Sequence, residues 1–361
     1  MAATLVKTFV VIPCFNEQEH LAATCQSLAL CNPRSFPVHL VLVDNASTDA
    51  TASVMADIKN ILGINKVTIV CEPVRGYVAA RHAGAVAVTE LVKQDGLLPE
   101  QVLVLQADAD TIYLSGYIDA MHAACSGKPG DLLEGVAITG REFAAQFQQF
   151  DKLSRSIDFA LEPWMAAEEA QVIVDDKVCA YLLSDYWDWG GHIREVDHQG
   201  REVHAETTRL FINGKRDRSA VHKKVDAACA VPSRRKLLIQ GPAYFASAGF
   251  PRDVEWVKSW VSQPRASHEF LASPYDWPLI REAIRSRQRH LLALFMILPV
   301  MCANDTAVAP DFQTFASGLC RTGTRAAGSL LGTALSVADD RGGFLGKFLD
   351  RNFPLSDPLI R

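Results

Sequence analysis

The sequence lacks the features that define several common classes of protein. Its nine cysteines are odd in number and include no Cys-x-x-Cys pair, so neither a zinc ribbon nor a disulfide framework is indicated. The longest apolar run, Leu291 to Ala303, is interrupted by Pro299 and is too short to span a bilayer. The first residues show no signal-peptide pattern, and a net charge of -5 offers no general attraction to nucleic acid. We therefore expect a cytoplasmic protein that has no transmembrane span and binds no nucleic acid.

The composition is that of a folded protein. Hydrophobic residues make up 49% of the 361 residues and charged residues 21%, which is typical of a chain that buries a large core. The length suggests one large domain or a domain with an appendage. A peripheral membrane contact through the apolar run remains open, as does a homo-oligomer formed through the C-terminal helices.

The first third of the chain alternates strand and helix patterns. Apolar runs at 9–12, 38–43, 66–71 and 102–106 predict strands, and residues 17–30, 50–61 and 77–93 carry helical spacing between them. Such alternation predicts an α/β fold with a mainly parallel sheet flanked by helices, and ligands are expected at the carboxyl ends of the strands.

Two carboxylates follow the fourth predicted strand. Asp108 and Asp110 are two residues apart, so in an extended chain they project to the same side and converge on one point. Two like charges so close need a cation, and Mg²⁺ or Mn²⁺ accepts carboxylate oxygens while leaving positions for phosphate oxygens. The alternative is that one aspartate merely caps a helix beginning near Leu114.

The loops after all four predicted strands are polar. They read 13–17 (Pro-Cys-Phe-Asn-Glu), 44–49 (Asp-Asn-Ala-Ser-Thr-Asp), 72–77 (Glu-Pro-Val-Arg-Gly-Tyr) and 108–110 (Asp-Ala-Asp). Together with the segment 80–84 (Ala-Arg-His-Ala-Gly), these motifs resemble, in order and spacing, the nucleotide-binding half of the family 2 glycosyltransferases. The resemblance is strong over about residues 7–120 and implies a GT-A fold.

The resemblance implies a role for each matching position. The residues that match nucleotide-binding positions are Pro13, Asn16, Asp44, Arg75, Arg81 and Asp108. Asp44 matches the carboxylate that accepts a hydrogen bond from the base, usually uracil, and the two arginines can lend donors to phosphate or to Asp44. Asp110, with Asp108, matches the position of the metal ligands.

The second half carries the acceptor side of the resemblance. Gly190, Gly191 and Trp189 match the loop that faces the acceptor. Glu206 matches the helix bearing the catalytic carboxylate, but the usual Glu-Asp pair reads Glu206-Thr207 here. Glu206 remains the candidate general base, and the fallback carboxylates are Glu202, Asp185 and Asp188.

The predicted organisation is a GT-A glycosyltransferase domain at 1–262, divided into a nucleotide-binding half (1–120) and an acceptor half (121–262), followed by a helical C-terminal extension at 263–361. The implied function is that of an inverting transferase that moves a sugar from a nucleotide-diphosphate sugar, by resemblance a UDP-sugar, to an unidentified acceptor hydroxyl. The alternatives are a non-catalytic nucleotide-sugar-binding scaffold and a sugar-phosphate nucleotidyltransferase.

Overall fold

The structure, a computed structural model, describes residues 4–165, 171–194, 205–250, 266–302, 308–321 and 330–354. The strands of these residues form one sheet. They are β1 (Lys7–Cys14), β2 (Val38–Asp44), β3 (Val67–Cys71), β4 (Val102–Gln106), β5 (Thr111–Tyr113), β6 (Asp131–Ala137), β7 (Cys179–Leu182) and β8 (Val221–Pro232).

The sheet has eight strands in the order β3-β2-β1-β4-β7-β6-β8-β5. Strands β1 to β4 are mutually parallel, β7 is antiparallel to both β4 and β6, and β5 is antiparallel to β8, which is parallel to β6. All strands except β5 and β7 therefore run in one direction. This arrangement confirms the predicted α/β fold with a mainly parallel, mixed sheet.

Helices surround the sheet and make up the C-terminal region. Those before residue 250 are α1 (Leu21–Ser27), α2 (Thr51–Leu62), α3 (Tyr77–Gln94), α4 (Tyr117–Ala124), α5 (Arg141–Gln146), α6 (Gln148–Leu161), α7 (Leu183–Asp188), α8 (Glu206–Arg218) and α9 (Arg235–Ala246). Those after it are α10 (Ala266–Ala272), α11 (Ile280–Leu292), α12 (Leu298–Cys302), α13 (Pro310–Arg321), α14 (Leu330–Asp339) and α15 (Phe344–Asn352). The C-terminal helices confirm the predicted helical extension.

The chain divides into two compact units. The first, made of 1–138 and 174–233, contains the whole sheet, and the second, made of 139–173 and 234–361, is helical in its described part. The predicted domain boundary at 262–263 lies outside the described residues and stays a prediction. Within the described residues, no helix has both the length and the apolar character needed to cross a membrane.

The two faces of the sheet have separate cores, and β1 contributes to both. Phe9 and Val11 pack in the cluster that includes α3, whereas Val10 and Ile12 pack in the cluster that includes α1, α2 and α4. The period of two along a strand explains this division, because successive side chains point to opposite faces. A strand buried on both faces positions its carboxyl end firmly.

Helix α3 approaches the sheet closely because of Gly84. A Cβ atom at this position would lie 2.4 Å from Val11 Cγ1 and 3.3 Å from Val43 Cγ2. Valine is stiff at χ1, so neither side chain can move aside without cost. The glycine therefore sets the distance between α3 and β1, and with it the position of the polar residues near the start of α3.

We expect Gly84→Ala to destabilise the protein by about 1–3 kcal/mol, because overpacking outweighs the gain in helix propensity. Urea denaturation measures the change. Gly318→Ala is the matched control, since a Cβ atom there meets nothing within 4 Å in helix α13. An unchanged or increased free energy of unfolding for Gly84→Ala would show that the α3 contact is loose.

Candidate functional site

The loops that follow β1 to β4 lie at one edge of the sheet, and asparagine side chains join them. Asn16 accepts a hydrogen bond from the backbone N–H of Thr48 at 2.8 Å, while its own backbone N–H donates to Ser47 Oγ at 3.2 Å. Asn16 adopts a positive φ of 55°, which asparagine tolerates better than most residues. The residue predicted to line the nucleotide site thus also ties the first loop to the second.

Asn45 ties the second loop to the third. Its Oδ1 accepts the N–H of Gly76 at 2.9 Å, and its Nδ2 donates to the carbonyl groups of Glu72 and Val74 at 3.1 and 2.7 Å. Asn45 is buried. Sequence reasoning missed this residue, although an asparagine directly after a strand-ending aspartate is a signal for such a loop brace.

The other predicted nucleotide-binding residues lie at the same edge. Asp44 is half-buried at the end of β2, and its Oδ1 accepts the N–H of Ser47 at 3.1 Å. The guanidinium of Arg75 lies over the ring of Phe15, 4.1 Å from its centroid. This cation–π contact places a positive group beside the first loop. Pro13, at the end of β1, is also half-buried.

Asp108 and Asp110 follow β4 and are both half-buried. The backbone N–H of Asp108 donates to Tyr113 Oη at 3.0 Å, and the carbonyl of Asp110 accepts the N–H of Ser233 at 3.2 Å. The next helix, α4, begins only at Tyr117 and has Gly116 at its N-cap. Neither aspartate caps that helix, so the capping alternative is wrong.

Arg81 is the centre of the site. Its side chain is 3% exposed, its Nε donates to Glu206 Oε1 at 2.8 Å, and its Nη2 donates to both Asp108 Oδ1 at 2.8 Å and Asp176 Oδ2 at 2.9 Å. One guanidinium thus joins the end of β4, the segment before β7 and the start of α8. Arg81 was predicted to contact the nucleotide, but the structure directs its side chain to carboxylates of the protein.

The site carries an excess of negative charge. Burial alone would lower the pKa of Arg81, but Asp176, Asp108 and Glu206 raise it well above its usual value. Burial raises the pKa of Asp108 to about 6 against the lowering effect of Arg81, and Asp176 adds to the increase. Around the guanidinium, carboxylates outnumber cations, so a further positive charge would stabilise the site.

Asp108 and Asp110 fit the kind of divalent-metal site in which phosphate oxygens and water complete the coordination shell. Within the described residues there is no cluster of three or more His, Cys, Asp or Glu side chains that could hold an ion by themselves. Mg²⁺ sites that act on phosphates typically use one or two carboxylates, with phosphate oxygens and water completing the shell. Asp108 and Asp110 supply two carboxylates of that kind, but residues 109 and 110 form a turn, so the extended chain predicted to bring the two side chains together was wrong.

Glu206, the predicted base, is buried at the first turn of α8 with only 2% of its side chain exposed. Its Oε1 is bonded to Arg81, and its Oε2 accepts the N–H of Ala205 at 3.3 Å. The neighbouring Thr207 is also buried and donates to Gln106 Oε1 at 3.2 Å. The assignment of Glu206 as the base stays a prediction, and the structure shows it as a partner of Arg81.

A small cavity lies beside Arg81. It has a volume of about 10 Å³ and is lined by Arg81, Gln106, Tyr181 and His192 together with Val11, Ala85 and Val104. Burial and the charge of Arg81 hold the pKa of His192 well below its usual value, so the imidazole is neutral. The cavity is close to the size of one water molecule. Sequence reasoning missed His192, Gln106 and Tyr181, whose burial only the tertiary fold creates.

The predicted acceptor-side turn has the expected backbone. Gly190 and Gly191 have φ values of 91° and 67°, a region that favours glycine. Trp189 is 3% exposed, and its indole packs against Tyr181 and Phe211 in the core. Its assignment to the acceptor side stays a prediction, and the structure gives the ring a packing role. Of the fallback carboxylates, Glu202 lies outside the described residues, Asp188 is exposed and Asp185 is buried.

Residues 9–121 match the sequence model of glycosyl transferase family 2. The matched segment spans the four loops described above. Uncharacterized glycosyltransferases of Mycobacterium bovis and Mycobacterium tuberculosis are 35% identical over 112 residues, a match that covers 28% of this chain and 45% of each relative. The chain thus spans about half the length of the curated relatives it matches.

Two solved structures show more distant likenesses. A mannosyltransferase from Pyrobaculum calidifontis in complex with GDP-Man and Mn²⁺ is 17% identical, with a TM-score of 0.47 over 94% of this chain and 87% of that chain. Residues 1–349 of TarS from S. aureus in complex with UDP-GlcNAc are 15% identical, with a TM-score of 0.38 over 92% and 91%. At these sequence identities and TM-scores, the two structures carry no information about the substrate or the mechanism of this protein.

We expect Arg81→Met to lower the free energy of unfolding by about 3–5 kcal/mol at pH 8, because removing one partner leaves buried carboxylates uncompensated. The loss should shrink as the pH falls to 5, since the carboxyl groups can then take up protons. Urea denaturation at both pH values measures it. Arg155→Met is the control, because Arg155 pairs with Asp151 at the surface and is 71% exposed. Equal losses for the two variants would contradict a buried network.

Asp185, a buried carboxylate of the first unit, predicts that the stability of the protein depends on pH. Asp185 accepts the N–H of Gly130 at 2.9 Å, and burial raises its pKa to about 7. The folded state therefore binds this proton more tightly than the unfolded state, so Asp185 reduces stability as the pH rises from about 4 to about 7. Asparagine keeps the acceptor oxygen without acquiring the charge.

We expect Asp185→Asn to match the wild type near pH 4 and to exceed its free energy of unfolding at pH 8. Denaturation in urea across this range measures the difference between the two proteins. Glu90→Gln, a change at an exposed position of α3, should leave the pH dependence unaltered. A constant difference between Asp185→Asn and the wild type would show that Asp185 does not titrate in this window.

Proposed function

We propose that this protein is an inverting glycosyltransferase that moves a sugar from a nucleotide-diphosphate sugar to an acceptor hydroxyl. The observation that carries the proposal is the gathering of Asp44, Asp108 and Asp110 at the carboxyl edge of parallel strands within the family 2 segment. Ligands of open α/β sheets bind at this edge. The family model matches residues 9–121 only, so the activity of the whole chain is itself proposed.

The second and third loops would bind the nucleotide, and we propose a UDP-sugar as the donor. Asp44 would accept a hydrogen bond from the base, while Pro13 and Asn16 line the pocket through the backbone of the first loop. The guanidinium of Arg75, held over Phe15, is the cation at this edge best placed to meet a phosphate, because Arg81 is already engaged by carboxylates. Bidentate donors of arginine suit phosphate oxygens.

Asp110, together with Asp108, would hold Mg²⁺ or Mn²⁺. When bound, the ion supplies positive charge that neutralises the diphosphate as negative charge develops on the leaving nucleotide. Asp108 is held by its bonds to Arg81 and Tyr113, which supports this assignment. Pre-organisation of this kind contributes to catalysis because the groups need not reorganise during the reaction.

The acceptor oxygen would attack the anomeric carbon on the face opposite the nucleotide, so a single displacement inverts the configuration. A general base must then remove the proton of the attacking hydroxyl. The resemblance assigns this role to Glu206. Glu206 and Asp176 both pair with Arg81, as Asp108 does, and they are therefore the nearby candidates for the general base.

One observation favours a second function, nucleotide-sugar binding without catalysis. Both oxygens of Glu206 already have partners, and the following residue is Thr207 in place of the usual aspartate. A protein of this kind would bind a nucleotide sugar with metal but would not turn it over. Turnover in the presence of an acceptor separates the two functions.

The donor can be identified by thermal shift, because a ligand that binds only the folded state raises the melting temperature. We expect a UDP-sugar with Mn²⁺ to raise the melting temperature of the wild type more than the same sugar with EDTA. Asp110→Asn should remove the dependence on Mn²⁺ and abolish transfer. Asp95→Asn, which alters an exposed ion pair with Lys7, is the control. If no UDP- or GDP-sugar shifts the wild type, the proposed function is rejected.

A further inference from the structure

The three carboxylates bound to Arg81 differ in their access to solvent. The side chain of Glu206 is 2% exposed, whereas those of Asp108 and Asp176 are 28% and 31% exposed. A general base must come within about 2.6–3.2 Å of the hydroxyl that it deprotonates, directly or through one water. Asp108 and Asp176 therefore present part of their side chains to an acceptor that arrives from solvent, whereas Glu206 presents almost none.

The hydrogen bonds of Glu206 and Thr207 also bear on which residue can act as the general base. Glu206 Oε1 accepts from Arg81, and Oε2 accepts from the backbone N–H of Ala205. Thr207 is buried and bonded to Gln106, so it offers no replacement. Asp108 is the residue that the proposed function uses at the donor diphosphate. Asp176 is the other partly exposed carboxylate of the three, and the proposed function gives it no role in binding the donor.

The position of Asp176 is suited to the reacting centre. Its Oδ2 and Asp108 Oδ1 accept hydrogen bonds from the same nitrogen, Nη2 of Arg81, at 2.9 and 2.8 Å. The two carboxylates therefore lie at the same end of the guanidinium. A group held beside Asp108 lies beside the diphosphate end of the donor, where the anomeric carbon must also be.

We propose that Asp176, and not Glu206, is the general base of the transfer, an inference that rests on the proposed function. As the acceptor oxygen forms its bond to the anomeric carbon, the bond from that carbon to the phosphate oxygen breaks and the nucleoside diphosphate leaves with the electron pair. The hydroxyl proton passes to the carboxylate of Asp176. Glu206 is a positioning residue that holds Arg81, and through it Asp176.

The adjacent Asp175 provides a matched control. Its side chain is 29% exposed, close to the value for Asp176, but it pairs with Lys177 at 2.5 Å. Replacing either aspartate by asparagine removes one charge from the same segment at similar exposure. A general electrostatic effect would act on both variants alike, whereas a role in proton transfer affects Asp176→Asn alone.

The test compares the wild type with Asp176→Asn, Asp176→Glu, Asp175→Asn and Glu206→Gln. Release of nucleoside diphosphate from UDP-glucose, UDP-GlcNAc and GDP-mannose is measured with Mn²⁺, with water and a panel of sugars as acceptors. We expect Asp176→Asn to lose about 10²- to 10⁴-fold in kcat, the usual contribution of a general base. Its KM for the donor and its thermal shift with donor and Mn²⁺ should stay within about twofold of the wild type, since the asparagine oxygen can still accept the hydrogen bond of Arg81.

The other three variants test whether the loss of kcat is specific to the carboxylate of Asp176. Asp176→Glu should recover part of the lost kcat, because it restores a carboxylate in the same place. Asp175→Asn should remain within about threefold of the wild type, and Glu206→Gln should lower the melting temperature more than Asp176→Asn does, because it weakens the more deeply buried pair.

Two outcomes would overturn the inference, and they differ in whether the proposed function survives. If the wild type turns over a donor and Asp176→Asn keeps more than about a third of its kcat, Asp176 is not the base and the proposed function stands. If the wild type binds a nucleotide sugar but turns over none, the proposed function and the base assignment both fall.

Discussion

A buried guanidinium surrounded by carboxylates is the interaction on which the rest of the site depends. Moving an ion such as Arg81 from water into the interior costs several kcal/mol, and only well-formed hydrogen bonds and ion pairs offset that cost. Glu206, Asp108 and Asp176 supply them from three different parts of the chain. The end of β4, the segment before β7 and the start of α8 are therefore positioned relative to one cation, and disturbance of one affects the others.

The same logic explains why the neighbouring loops are held by side chains. Loops at the carboxyl edge of a sheet lack ladder hydrogen bonds, so their backbone groups need other partners. Asn16 and Asn45 provide these partners between the first and second and between the second and third loops. These hydrogen bonds cross-link the loops. A ligand that enters here meets a surface whose shape is already set.

The first four strands and the helices between them were predictable from the sequence, because they depend on local patterns. Strand β4 has the bounds that the sequence predicts for it. The burial of Glu206 and of Trp189 was not predictable, because both arise from contacts between distant segments. A first-turn glutamate normally faces solvent, and only the approach of Arg81, 125 residues away in sequence, draws it inside.

The departure from the usual Glu-Asp pair follows from this arrangement. Glu206 is only 2% exposed, so it would have to withdraw from Arg81 to meet an acceptor, and its withdrawal would leave Arg81 with one buried partner fewer. A carboxylate that keeps its bond to Arg81 and is also partly open to solvent can meet both the structural and the catalytic requirement, and under our proposal it comes from another segment. Asp176 reaches the same guanidinium from the segment before β7, and it does so with part of its surface open to solvent.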